Sequence, residues 1–426
     1  MHTIMRSRYT ICILIAALTI AVVPFFCYKA IYAPVRLVLN LTEQQSRRGD
    51  FWASFPGPFV EKYNSTLRNK TIVKSWCQGA VWIYGPIQHL VTLPLTFIKS
   101  IKIVSLIWLL SNYCFLTIAL FLVLKMLKNL PLWGKVILIF MWMGYWPLYV
   151  GIQEDVIEIF EMLMMLVSLY FLCRNKDILS GIAMGIAVMT KFLPAIFLPY
   201  FLIKGRFKAL VASLVTIALI AIGTQFTLGW QYNYTLNLFQ KEIYDKNHTY
   251  TYFRSQTLSS TIERWFSKLF SGNVFYPASS NSALAKNIYI IMAVAICLFL
   301  FFIMYKERKR KSYGIEYGIC ATLMILLAPH GSPYYLLLNL IGFSFAVAYL
   351  CENKYFFGST ILAVSYILCG YINQITIFDK LLISQYGVDR HTFFYLLSFP
   401  AYGSVLLVIL LFLIYLRQNS PKIPND

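Results

Sequence analysis

Acidic side chains are scarce in this chain. Asp and Glu number 17 against 37 Lys and Arg, and charged residues of both signs make up 13% of 426 residues. A soluble domain carries roughly 25% charged residues, so a water-exposed globular protein is excluded. The nine cysteines include no Cys-x-x-Cys pair and no zinc-type spacing, which argues against a disulfide framework or a structural metal. Most of them lie in or beside apolar runs, and only Cys77 sits well inside a long polar stretch. A glycine-rich nucleotide loop, a low-complexity tract and an internal repeat are also missing.

What is present is apolar length. Hydrophobic residues make up 59% of the chain and aromatic residues 17%. Several runs approach or exceed the ~18–20 residues that cross a bilayer, and the short alternating strands of a membrane barrel are not seen. The composition predicts an all-α polytopic membrane protein. The net charge of +20 is read as cytoplasmic loop charge and attraction to anionic membrane lipids, with no nucleic acid partner.

Residues 9–28, behind Arg6 and Arg8, form the first expected span. Its length and the lack of a small-residue cleavage site favour an uncleaved helix over a signal peptide, and the flanking charge puts the N-terminus in the cytoplasm. Residues 29–101 then form a long outer loop. Its stretch 81–98 is apolar but interrupted by Pro86 and Pro94, which predicts interfacial or re-entrant helices. Spans follow over 103–124, 136–150 and 156–173, with the basic links at 125–135 and 174–177 inside. The run 179–203 is split by Lys191-Phe192-Leu193-Pro194 into pieces too short to span alone. It predicts two short helices meeting near the outer face and lining a cavity. A second outer loop covers 229–286, and further spans cover 209–228, 287–305, 314–329, 334–350, 356–373 and 398–416, with the densest basic run, 306–311, inside. The expectation is one integral membrane domain, residues 1–426, of about twelve segments with both termini cytoplasmic. Loops 29–101 and 229–286 would form the active-site face. Asn-x-Ser/Thr triplets at Asn40, Asn64, Asn69, Asn233 and Asn247 fall in those loops. They act as glycosylation acceptors only in a lumenal or extracellular setting and are otherwise chance.

Four polar clusters converge on the outer face: Arg47-Arg48-Gly49-Asp50, Gly151-Ile152-Gln153-Glu154-Asp155, Lys191 at the split, and Pro329-His330-Gly331-Ser332 followed by Tyr334 and Tyr335. Ionisable groups at a membrane edge are functional candidates. An outer-face enzyme has no ATP or nucleotide sugar at hand, and a lipid phosphate is its usual energised donor. Such chemistry needs a carboxylate to take a proton from an acceptor hydroxyl, and cations to hold the departing phosphate. Asp50 fits the first role; Lys191, Arg254 and His330 fit the second. Each also has a plainer reading. Asp50 could be a solvated surface charge, Lys191 could reach for the interface, His330 could cap a helix, and Glu154 or Asp155 could cap the helix that follows.

These residues resemble the family 87 glycosyltransferases of the GT-C superfamily, the group with the polyprenyl-phosphate-mannose-dependent mannosyltransferases. The resemblance is carried by Asp50-Phe51 in the first outer loop and by Tyr84-Gly85-Pro86 with Leu93-Pro94-Leu95. It continues through Gly151-Ile152-Gln153-Glu154-Asp155, Lys191-Phe192-Leu193-Pro194 and Lys204-Gly205-Arg206-Phe207-Lys208. Ser255-Gln256-Thr257-Leu258-Ser259 running to Arg264, and His330 with Tyr334-Tyr335, complete it over residues 1–350. Two departures are visible: Ile152 is inserted and acids stand where that family has Asn, and the spacer at Gly331-Ser332-Pro333 is unusual. The resemblance implies a GT-C fold and an inverting transfer of a mannose-like hexose from a polyprenyl-phosphate donor to a lipid-linked or glycan acceptor. It implies no cofactor and no obligatory metal. It makes Asp50 the catalytic base, Lys191, Arg254 and His330 the phosphate ligands, and Gln153, Glu154, Asp155, Tyr84 and Tyr335 substrate-binding residues. The setting would be a bacterial plasma membrane, with the site on its outer face. A secondary transporter or flippase, an O-antigen ligase or polymerase, and a scaffolding subunit stand as alternatives.

Overall fold

The computed structural model describes residues 27–39, 87, 90–91, 94–95, 98, 100–228, 255–266, 282–328, 331–353, 355–371, 395 and 397–418. The first expected span, 9–28, lies almost wholly outside them. Among the described residues the chain is helical, with no strands.

In chain order, a π-helical turn Cys27–Tyr32 leads into α1, Ala33–Leu39. Then come α2 (Ile101–Met126), α3 (Leu132–Gly144), α4 (Trp146–Gln153), α5 (Glu158–Cys173) and α6 (Asp177–Lys191). A 3-10 turn, Leu193–Ile196, precedes α7 (Phe197–Ile203) and α8 (Phe207–Leu228). The short α9 (Leu258–Trp265) falls within 229–286, and α10 (Ser282–Lys306) and α11 (Tyr313–Leu326) follow. A 3-10 segment, Pro333–Leu338, runs into α12 (Asn339–Asn353), and the chain ends in α13 (Phe356–Tyr366) and α14 (Phe399–Arg417).

Among the described residues four helices are long and apolar enough to cross a membrane: Lys102–Met126, Ala283–Lys306, Pro333–Asn353 and Phe399–Arg417. The pair α3 and α4 makes a fifth if counted as one broken span. Large apolar side chains stand exposed along these and the shorter helices, among them Phe121, Leu219, Ile291, Leu298 and Phe302. Contiguous exposed apolar surface of this kind has lipid as its natural neighbour. The chain is a helical membrane protein.

The sequence puts one span over 136–150. The structure has two helices bent by 45° at Tyr145. Pro147 explains the bend: it has no N–H to give and is tolerated only in the first turn of a helix, so α4 must begin just before it. The expected break at 191–194 is present. Phe192 closes α6 in the left-handed region, with φ 61°, an uncommon conformation for a bulky residue.

The fold divides into two compact units, residues 1–126, 149–195 and 208–246, and residues 127–148, 196–207 and 247–426. In the first, α5 packs on α6 and on α2. Trp108, Val104 and Ile157 form a small core, and Val91, Leu95 and Ile98, from the apolar stretch before α2, pack against it. Helices α6 and α8 touch through Gly181 and Gly185. A Cβ at Gly181 would stand 2.2 Å from the Ala209 carbonyl oxygen, and one at Gly185 would stand 2.7 Å from Thr216 Cβ. Small residues four apart let two helix backbones approach in lipid, where packing rather than water expulsion holds helices together. Ser213 Oγ uses that proximity to donate to the Gly181 carbonyl at 3.0 Å.

In the second unit α11, α12 and α14 form the centre, with Tyr317, Phe343, Leu407 and Leu411 fully buried. Trp142 Nε1 on α3 donates to Ser344 Oγ on α12 at 3.0 Å. A polar knot ties the ends of α7, α11 and α14. Lys204 Nζ bonds Glu316 Oε1 at 2.8 Å and the Arg310 carbonyl at 2.7 Å. Tyr200 donates to Glu316 Oε2 at 2.8 Å, and Arg310 reaches the Tyr415 carbonyl. The sequence marks Lys204 as part of a basic stretch that carries the family resemblance; here it pairs with a buried acid.

Candidate functional site

In the first unit the polar groups gather where α4 ends and α5 begins. Helix α4 stops at Gln153, and the Val156 N–H closes the turn on the Gly151 carbonyl at 3.1 Å. Asp155 takes φ 52° at this corner, which Asp tolerates better than most residues. Trp108 Nε1 fixes it by donating to its carbonyl at 3.1 Å. Asp155 is buried, whereas Gln153 and Glu154 are partly exposed. Neither acid caps α5, whose first flanking residue is Ile157 with no side-chain cap.

Two further acids, Glu158 and Glu161, occupy the first turn of α5 and are fully buried. The positive end of the helix favours anions there. Lys191, the last residue of α6, forms a buried ion pair with Glu158. Glu161 follows Glu158 by three residues in the same buried turn. Both Glu161 carboxyl oxygens lack a hydrogen-bond partner among the described residues.

In the second unit a different cluster forms around α9. Thr257 caps the helix, its Oγ1 accepting from the Ser260 N–H at 3.3 Å, a favoured N-cap arrangement. Just before it, residues 255–256 pair with Gly331. The Gln256 N–H donates to the Gly331 carbonyl at 2.8 Å, and the Gly331 N–H donates to Ser255 Oγ at 3.2 Å. Only glycine permits this approach, because a Cβ at 331 would stand 2.6 Å from Thr257 Cγ2. Ser260 Oγ supports Ser255 Oγ at 2.6 Å. Two side chains then reach a third segment: Gln256 Nε2 donates to the Tyr395 carbonyl at 3.0 Å, and Arg264 Nε donates to Ser398 Oγ at 2.8 Å. Arg264 Nη1 also donates to the Ser255 carbonyl at 2.9 Å. Burial pushes the Arg264 guanidinium down to about 10, which leaves it charged at neutral pH. Tyr335 is buried in the 3-10 segment and packs edge-on against Tyr334, ring centroids 5.1 Å apart.

Of the residues expected to act, Asp50, Tyr84, Arg254 and His330 lie outside the described residues. Gln153, Glu154, Asp155 and Lys191 belong to the first unit, Tyr335 to the second. Ser255 and Gly331 are brought together, and each is one peptide bond from an expected phosphate ligand, Arg254 and His330. Sequence reasoning missed Glu158, Glu161 and Glu316. The available signal was acids inside apolar runs of an acid-poor chain. Among the described residues no group of three or more His, Cys, Asp or Glu is arranged to hold a metal ion.

Apolar helices exposed as if to lipid, a helix pair broken at a lysine, and polar clusters built at helix ends define a class of polytopic membrane protein with sites at its span termini. The sequence model of Glycosyltransferase family 87 matches residues 82–329, more than half of the chain, and the chain belongs to that family. It is a membrane glycosyltransferase. No curated protein and no solved structure matches it.

Proposed function

We propose that the protein moves a mannose-like hexose from a polyprenyl-phosphate sugar to a lipid-linked or glycan acceptor, on the outer face of a bacterial plasma membrane, with inversion. Asp50 takes the proton of the acceptor hydroxyl as its oxygen bonds to the anomeric carbon. The bond from that carbon to the phosphate oxygen breaks, and polyprenyl phosphate leaves from the opposite face. One carboxylate on the acceptor side is what inversion needs. Arg254, His330 and Lys191 stabilise the charge that grows on the leaving phosphate. Gln153, Glu154, Asp155, Tyr84 and Tyr335 contact the sugars. About twelve membrane segments, with loops 29–101 and 229–286 outside, put these residues on one side.

One observation carries the donor half of this reading. The Ser255–Gly331 pair joins the two residues that follow Arg254 and His330 in the sequence. Hydrogen-bond donors next in sequence to both members of that pair suit a phosphate better than a neutral transported solute. Its test is transfer by purified protein. A synthetic polyprenyl-phosphate mannose should support turnover and a nucleotide sugar should not; turnover with the nucleotide sugar alone would refute the lipid-donor assignment.

A further inference from the structure

We propose that the head of α11 is a binding site for the phosphate headgroup of an anionic membrane lipid. The site lies within the second unit and is separate from the transfer chemistry. The turn 306–311 holds five basic residues and one acid, and it leads straight through Ser312 into α11. Two other chain ends are tied to it. Lys204, just after α7, donates to the Arg310 carbonyl, and Arg206 donates to Tyr313 Oη. Arg310 bonds the Tyr415 carbonyl and lies over the Tyr415 ring, 5.0 Å from its centroid, which ties in the end of α14. The acids of these stretches have cationic partners: Glu316 pairs with Lys204 at 2.8 Å, and Glu307 with Arg310 at 3.6 Å.

The head of a helix offers N–H groups with no partner inside the helix and carries the positive end of its dipole. At α11 a buried hydroxyl adds to this. Ser312 is only 6% exposed and makes no side-chain cap bond. Its Oγ has no hydrogen-bond partner among the described residues. A capping serine has extended backbone angles, whereas Ser312 has φ −94° and ψ 39°, so its hydroxyl is not spent on the first turn. A buried hydroxyl left unbonded is costly. A phosphate oxygen supplies the acceptor it lacks, with Lys311, next in sequence, and Arg206, held at Tyr313, as counter-ions. The surroundings favour a lipid over a free ion. Leu202, Phe207, Phe302, Tyr305 and Leu416 stand exposed beside these cations in the chain, so apolar side chains for acyl tails and charges for a headgroup share one edge. Guanidinium groups lie over Tyr305 and Tyr313, from Arg308 at 5.1 Å and Arg206 at 5.3 Å, and tyrosine is enriched at headgroup level.

The test is titration of the full-length protein in detergent, read by calorimetry and by melting temperature. Short-chain phosphatidylglycerol, phosphatidylcholine and inorganic phosphate are separate probes. Phosphatidylglycerol should bind and raise the melting temperature, and the other two should do neither. Ser312→Ala leaves the net charge unchanged and should weaken phosphatidylglycerol binding about tenfold, the scale of a hydrogen bond to a charged group. Without lipid it should melt at the same temperature or higher, since it removes a buried hydroxyl that no described residue bonds. Lys311→Gln should weaken binding by a similar factor, and Lys125→Gln, at an exposed lysine of the first unit, should leave it unchanged. Equal losses in the two lysine variants, with Ser312→Ala like the unaltered protein, would reduce the effect to diffuse attraction and overturn the site. Equal stabilisation by inorganic phosphate would overturn the lipid assignment. A Ser312→Ala protein that melts lower yet binds phosphatidylglycerol normally would make the hydroxyl purely structural and overturn the proposal. Should Ser312→Ala fail to fold, Lys311→Gln against Lys125→Gln carries the test.

Discussion

Lys191 and Glu158 form an ion pair inside the first unit with side-chain exposures of 2% and 0%. A pair so far from water is held by mutual dependence: each charge is tolerated because the other is there. The expected donor-binding lysine therefore also has a structural duty, and the two can be separated. Lys191→Ala alone should cost roughly 3–5 kcal/mol, because it strands a buried carboxylate. Lys191→Met combined with Glu158→Leu should recover most of that. Thermal unfolding in detergent measures the recovery. The donor KM of the recovered protein then reads the phosphate role alone, which predicts a raised value.

The contact of α6 with α8 makes a second prediction. Gly181→Ala drives a methyl into the Ala209 carbonyl and should destabilise by about 1–3 kcal/mol. Gly223→Ala, on the same α8, meets no atom of the described residues within 4 Å and should stabilise by about 0.5–1 kcal/mol through helix entropy. Opposite shifts in melting temperature are expected, and equal shifts would remove the crossing as the cause.

Tyr200→Phe removes one of the bonds to the buried Glu316 carboxylate. The loss should be about 1.5–3 kcal/mol, as for a hydrogen bond to a charged group. The knot lies away from the donor cluster within its unit, so the melting temperature should fall while donor KM stays fixed.

Asp50→Asn is close to isosteric and cannot accept the proton. Turnover should drop by at least about 10²-fold, typical of a lost acid–base group, with expression and melting unchanged. Near-normal transfer would pass the role to Glu154, the partly exposed acid at the end of α4.

Sidedness is open to a thiol reagent that cannot cross the membrane. In a cysteine-free background, a Cys at Ser65 should label in intact cells and a Cys at Lys311 should not. Lys311 is exposed in the structure, so its protection would come from the membrane and not from burial. Labelling at 311 but not at 65 would invert the topology.

The broken helix at Lys191 was readable because Pro194 and a lysine interrupt an apolar run. The bend at Tyr145 had an equally local signal in Pro147, hidden by the aromatic residues around it. Glu158, Glu161 and Glu316 were hidden for the opposite reason. An acid in an apolar stretch reads as noise until its partner is known, and the partners Lys191 and Lys204 lie 33 and 112 residues away. The Ser255–Gly331 pair spans 76 residues and is made largely of backbone groups, which carry no sequence signature. The family resemblance singled out the stretches around Ser255 and Gly331; the fold joins them.

The bond from Arg264 to Ser398 links positions 134 residues apart. At about 5–20 residues per second of synthesis, roughly 7 to 27 s separate the emergence of the two. By its end the nascent chain holds α9 and the whole family-matched region, and only then does it gain the anchor for the guanidinium. The tie between α9 and the turn into α14 can therefore close only after the helices between them have been made.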